Sequence, residues 1–259
     1  MDFSLKGKVA LVTGGARGLG LAFATAMAES GAAVVLADVL EDEGKAAAAR
    51  LAATGHSATF LRLDVSSEEE WTDGIDAVRQ DHGRLDILVN NAGIGGGGTV
   101  LDTTLEDWNR TIAINLTGVF LGCKHGIPLI AESGGGSVIN ISSIFGQVSD
   151  WLAFGYSASK GGVRSLTKSA ALMCAEVKNN VRVNSVHPGF VHTPMVDNAV
   201  AEIPPEIGDP YMQRTVGLTP LGRIGVPQDL AGAIVFLASD ASQFMTGSEV
   251  TVDGGFTAR

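Results

Sequence analysis

Cysteine is nearly absent from this 259-residue chain. Cys123 and Cys174 stand alone, with no CxxC spacing and no metal-ligand pattern around them. That excludes a disulfide scaffold and a thiolate metal cluster, and leaves two buried thiols acting as small apolar groups. Low cysteine use suits a reducing compartment. Cations are short as well: 18 Lys and Arg face 28 Asp and Glu, a formal net charge of −10. Binding to a nucleic-acid backbone, which needs clustered Lys and Arg, is excluded. No uncharged apolar run is long enough to span a bilayer. Met1 to Lys8 is short, of mixed polarity, and lacks the apolar core of a signal peptide. The expectation is a chain with no membrane partner and a cytoplasmic location. Apolar residues at 45% and charged residues at 18% fit a packed core rather than disorder.

What is present is alternation. Apolar runs at Val9 to Thr13, Ala33 to Asp38, Ala58 to Leu63, Asp86 to Asn90, Val138 to Ile141, Val181 to Val186 and Glu249 to Val252 read as seven strands. Segments of helical periodicity separate them: Leu19 to Glu29, Glu41 to Ala53, Ser67 to Asp81, Leu105 to Glu132, Tyr156 to Val177 and Gln228 to Ala238. Strands alternating with helices give βαβ units, and continuous apolar strands such as VVLAD suit a sheet covered on both faces. The expected fold is one α/β domain over residues 1–259, a Rossmann-type doubly wound parallel sheet with helices on both sides. No linker or repeat divides it. Gly95 to Gly98 reads as a flexible turn at the mouth of the sheet. Phe190 to Pro220 is Pro-rich without clear periodicity, the pattern of a substrate lid at about 190–220.

The first strand runs into TGGARGLG, with Gly14, Gly18 and Gly20 between strand and helix. Glycines there allow a tight turn and close approach of a pyrophosphate to main-chain N–H groups, at the positive end of the helix that begins near Leu19. An acidic protein can bind a dinucleotide in this way. Asp38 closes the second strand, where its carboxylate can accept from both adenosine ribose hydroxyls and would repel a 2′-phosphate; Val39 offers no cation instead. Arg17, inside the loop, argues the other way. Asp38 opposes the phosphate directly, so NAD is the expected cofactor.

Tyr156 and Lys160 are four residues apart at a helix start, hence on one face. An ammonium beside a phenol favours the phenolate and lowers its pKa, which makes acid–base work possible. Ser143 and its neighbour Ser142 follow the fifth strand; a hydroxyl there can stabilise developing alkoxide charge on a substrate. No metal is needed for this chemistry.

Several motifs occur in one order: TGGARGLG at Thr13 to Gly20, Asp64-Val65, NNAG at Asn90 to Gly93, Asn115, Ser143, YSASK at Tyr156 to Lys160, and HPGFVHT at His187 to Thr193. On these residues the chain resembles the short-chain dehydrogenase/reductases over essentially its whole length. The runs VRVNSVHPGFVHTPMVD and GSEVTVDGGFTAR make it similar to bacterial secondary-alcohol dehydrogenases and, less so, to hydroxysteroid dehydrogenases. The resemblance implies that Asp64 and Val65 flank the adenine. It implies that Asn90, Asn91, Ala92 and Gly93 line the cofactor groove, and that Pro188, Gly189, Val191 and Thr193 contact the nicotinamide end. It selects Ser143 over Ser142, gives Lys160 the nicotinamide ribose, and has Asn115 hold a water in a relay to Lys160. It also implies a homotetramer.

The resulting expectation is hydride exchange between a secondary alcohol or ketone and NAD, with Tyr156 as general acid/base. Two alternatives stay open: a 3-oxoacyl thioester reductase of the same fold, which would usually prefer NADP, and a dinucleotide-binding regulator without catalysis. Gly95, Trp151, Phe154, Phe190, Met195 and Tyr211 are the expected pocket residues, with Trp108 either core or pocket and His187 and His192 structural or pocket-lining. A cyclic, aryl or terpenoid-like ketone suits that mixed lining. Related alcohol dehydrogenases can carry a structural Mg²⁺ near the C-terminus, where the terminal Arg259 is an unfavourable neighbour.

Overall fold

The computed structural model describes residues 3–201 and 205–258. Arg259, residues 202–204 of the expected lid and the first two residues of the N-terminal segment lie outside that description. Seven strands form one sheet in the order β3-β2-β1-β4-β5-β6-β7, and every adjacent pair is parallel. The strands are β1 (Val9–Thr13), β2 (Ala33–Asp38), β3 (Ala58–Arg62), β4 (Ile87–Asn90), β5 (Gly136–Ile141), β6 (Val181–Pro188) and β7 (Glu249–Val252). Helices α1 (Gly18–Glu29), α2 (Glu41–Ala53), α3 (Glu68–His82), α4 (Leu105–Ile112), α5 (Gly118–Glu132), α6 (Phe154–Glu176), α7 (Pro194–Ala201), α8 (Pro205–Leu218) and α9 (Pro227–Ala238) complete the chain. This is the doubly wound fold that the alternating sequence pattern requires.

The period-2 geometry of a strand explains the two-sided core. Ala10 and Val12 of β1 point into one buried cluster with Phe23, Met27, Leu36, Ile234 and Leu237; Val9 and Leu11 point into the other with Trp71, Leu88, Ile127 and Val183. Trp71 is fully buried, and its indole N–H donates to Val65 O at 3.0 Å. Truncating it to Ala would cost about 3–5 kcal/mol and release the loop that carries Asp64 and Val65.

The long helix from Leu105 to Glu132 is interrupted. Residues Ala113–Thr117 form a π turn, and Asn115 sits inside it, fully buried. Such turns are commonly found at functional positions. The run is long and apolar enough to cross a membrane by length and composition, yet half of it is buried inside the fold.

Phe190 to Pro220 is not the irregular segment expected. It contains α7 and α8, each opening on a proline, Pro194 and Pro205. Proline's fixed φ and missing N–H suit a helix start. Short helices of mixed composition carry no clean 3.6-residue repeat, which is why pattern reading passes over them.

Candidate active site

The strand order reverses between β1 and β4, and the crevice where connections diverge from their C-terminal ends is the binding place of open α/β sheets. Thr13, the last residue of β1, joins the two strands. Its hydroxyl accepts from the N–H groups of Asn91 and Ala92, both at 3.0 Å, and the Asn91 amide donates to Thr13 O at 2.9 Å. Gly14 and Gly18 have φ of +64° and +57°, where a side chain is strained. A Cβ on Gly20 would overlap the carbonyl oxygen of Gly14. Across the crevice, Thr193 and Pro194 come within 4 Å of where a Cβ on Gly18 would stand. The turn therefore keeps its backbone bare and close to α1, which fits a pyrophosphate bound by main-chain N–H groups. Leu19 packs partly against the apolar core.

Asp38 ends β2, almost fully buried, and accepts from Ala16 N–H and Leu40 N–H, both at 3.0 Å. These bonds aim one carboxylate oxygen at the glycine turn. Arg17 lies 3.9 Å from Glu43 and is half-exposed. Asp64 is held by the turn that Glu70 braces: the Glu70 carboxylate takes Asp64 N–H at 2.7 Å. Among the expected groove residues Asn90 is an exception. It is buried, donates to Asn140 Oδ1 at 2.8 Å, and points toward Gly122, whose missing side chain makes room for it. As the last residue of β4 it faces the interior, and Asn91 faces the crevice. Val191 is buried in the core, paired by a bridge to Gly225.

Lys160 is 3% exposed and donates to Ile141 O at 2.8 Å, with its ammonium 5.6 Å from the Tyr156 ring centre. Burial pushes its pKa down to about 8. The Ser143 side chain lies close enough to the Tyr156 phenol to influence it. Desolvation raises the phenol's pKa, and Ser143 pulls it partly back. The expected net lowering of the phenol is thus corrected: desolvation outweighs what lowers it, and its pKa is raised. Ser142 is fully engaged elsewhere, donating to Lys160 O at 2.8 Å, whereas the Ser143 hydroxyl faces Tyr156 and accepts from Phe145 N–H at 3.1 Å. Asn115 accepts from Ile94 N–H at 2.8 Å and donates to Ile94 O at 2.9 Å, so its side chain fixes the strand-end loop directly beneath Lys160. Gly98 does not end a free turn: it accepts from Phe154 N–H and donates to Leu152 O, tying the glycine run to the start of α6.

A cavity of about 270 Å³ is walled by Phe145, Phe190, Tyr211, Leu218 and Phe256, with Phe145 standing between it and Tyr156. Phe145 meets the Tyr156 ring edge-on at 6.4 Å, and Phe190 packs edge-on against Phe145 and Tyr211 and tilted against Phe256. Phe190 and Tyr211 line it as expected from the sequence. Trp151 is 67% exposed, and Phe154 packs on Trp108 outside it. Gly95 and Met195 face one another rather than this cavity. Phe145, Arg214 and Phe256 were not singled out by sequence reasoning. Phe145 follows the serine motif by two residues, the one signal that could have found it. Phe256 and Arg214 arrive by tertiary folding alone.

Comparison with known proteins places this arrangement. A family model described as enoyl-(acyl carrier protein) reductase matches residues 14–257. The NADP-dependent (R)-specific alcohol dehydrogenase of Lentilactobacillus kefiri is 46% identical, with all of both chains covered. The 3-alpha-(or 20-beta)-hydroxysteroid dehydrogenase of Mycobacterium tuberculosis is 44% identical over all of this chain and 92% of that one. A solved short-chain type dehydrogenase/reductase from Mycobacterium marinum superposes with a TM-score of 0.92 at 35% identity, covering 100% of this chain and 98% of the other. The chain belongs to the short-chain dehydrogenase/reductase family. As a member of that family it is an oxidoreductase fold for a nicotinamide dinucleotide, and the crevice described above is where the glycine turn, Asp38 and the Ser143–Tyr156–Lys160 group converge.

Proposed function

We propose that this short-chain dehydrogenase/reductase interconverts a secondary alcohol and a ketone using NAD, with Tyr156 as the proton-transfer residue. The observation that carries the reading is the buried Lys160 ammonium 5.6 Å from the Tyr156 ring, with the Ser143 side chain acting on the same phenol. A nicotinamide dinucleotide, when bound, supplies the hydride acceptor or donor. Gly14, Gly18, Leu19 and Gly20 would hold its pyrophosphate, and Asp38, Asp64 and Val65 its adenosine. Asn91, Ala92, Gly93, Lys160, Pro188, Gly189, Val191 and Thr193 would take the remainder. Ser143 donates to the substrate oxygen and Tyr156 removes or returns the hydroxyl proton. Lys160 holds positive charge beneath the ring, and Asn115 keeps the loop at Ile94 in place beside it.

NAD is favoured over NADP by charge. A 2′-phosphate would meet Asp38; Arg17 of the glycine turn already faces Glu43, and Arg62, in register with Asp38 on β3, is paired with Glu70. The exposed Val39 adds no positive charge. The Lentilactobacillus relative is NADP-dependent, so the reading of NAD rests on Asp38 and its surroundings in this chain and not on that relative. The aromatic wall of Phe145, Phe190 and Phe256 suits a cyclic or aryl ketone. Residues 190–220, with α7 over Gly18, form the lid in this reading, the assembly is a homotetramer, and the free thiols fit the cytoplasm.

The test is NADH formation, followed by absorbance, over a panel of cyclic and aryl secondary alcohols, repeated with NADP. Turnover with NAD is expected. Tight NAD binding without turnover would point to a regulator, and a preference for NADP with 3-oxoacyl thioesters would point to the acyl reductase.

A further inference from the structure

His187, the penultimate residue of β6, is fully buried, and no step above uses it. Both of its ring nitrogens are engaged. Nδ1 lies 3.0 Å from the carbonyl oxygen of Ser143, and Nε2 lies 2.9 Å from the hydroxyl of Ser185. A carbonyl only accepts, so Nδ1 carries the proton and Nε2 accepts from Ser185. The need for this side chain follows from the sheet. Ser142 N–H donates to Val186 O as the last rung between β5 and β6. The next rung would need the N–H of Pro188, which has none. That rung would have ended on Ser142 O; one residue further, Ser143 O accepts from Gly146 N–H at 2.9 Å in the turn that follows, and His187 adds a second donor to it, from its side chain on the neighbouring strand. Burial holds its imidazole pKa down, opposed by the Ser143 carbonyl, so the ring stays neutral and keeps this tautomer.

We infer that His187 is a positioning residue: its Nδ1–H fixes the Ser143 main chain and thereby aims the Ser143 hydroxyl at the substrate oxygen. This rests on the proposed alcohol–ketone reaction. Asparagine places an N–H near the position of Nδ1, and glutamine near that of Nε2. His187→Asn should stay within about 3-fold of the parent kcat while His187→Gln loses about 10- to 100-fold, with NAD affinity and KM for NAD unchanged in both. Equal losses in the two variants, tracking their fall in Tm, would reduce His187 to a structural role and overturn the inference. A second readout does not depend on turnover. In ¹⁵N-histidine NMR of the full-length parent, His187 should show the Nδ1–H tautomer; an Nε2–H tautomer would overturn the inference even if the enzyme is active. Absence of turnover in the parent itself would instead count against the reaction, not against the tautomer.

Discussion

At the residue scale, the pair that matters is poised in an unexpected direction. Tyr156 is desolvated, so its phenolate is disfavoured, and Lys160 is pushed to about 8, so its charge is partly lost in mildly alkaline solution. Oxidation requires Tyr156 to accept a proton, so its rate should climb with pH as the phenol ionises. Reduction requires the protonated phenol, which a pKa raised above its ordinary value near 10 keeps in place. Measured as kcat/KM between about pH 6 and pH 10, oxidation should climb without levelling off while reduction holds steady. A flat profile for both would remove an ionising phenol from the reaction. The sequence made the YSASK pairing visible, because four-residue spacing on a helix is a geometric fact. It could not show that Lys160 turns to Ile141 O, because that carbonyl belongs to a strand 19 residues earlier.

At the scale of elements, the glycine turn and the end of β2 form one device. Asp38 is anchored by Ala16 N–H of that turn, so the acid proposed to take the ribose and the turn proposed to cradle the phosphates are locked together. Replacing Asp38 by Gly and Val39 by Arg removes the repelling carboxylate and adds a cation beside it. The ratio of kcat/KM for NADP over NAD should rise by roughly 10-fold or more. An unchanged ratio would mean that the ribose does not reach this strand end. Strands and most helices were readable here because buried parallel strands are continuous apolar runs. The π turn at Asn115 was not readable, since one extra residue per turn leaves no mark on composition. Nor were α7 and α8, whose boundaries come from Pro194 and Pro205 rather than from an apolar stripe.

At the scale of the whole molecule, the sheet's last edge is tied to α6, the helix that carries Tyr156 and Lys160, through a charge cluster. Glu249 on β7 is bound by Arg164 at 2.7 Å and Lys168 at 2.6 Å from α6, and by Gln147. Desolvation is the largest single influence and pushes its pKa up, but the bonds from Lys168, Arg164 and Gln147 together hold it at about 2. Because the folded value lies below the unfolded one, this stabilisation is fully present above about pH 4.5 and fades as pH falls toward about 2. Discounting for the half-exposed cations, Glu249→Gln should lower unfolding free energy by about 1–3 kcal/mol near neutral pH, and by much less near pH ~3. Denaturant unfolding at the two pH values measures it; an equal loss at both would show that the carboxylate charge is not what binds β7 to α6. The fold class was legible from alternation alone. The cavity walls were not, because Phe145, Phe190 and Phe256 lie far apart in the chain and meet only after the sheet has formed.

The most direct measurement is single-turnover hydride transfer by Tyr156→Phe, set beside its NADH dissociation constant. Loss of the phenol oxygen should slow the transfer by about 10²- to 10⁴-fold while NADH binds as in the parent. Near-parental transfer with intact binding would contradict Tyr156 as the residue that carries the proton.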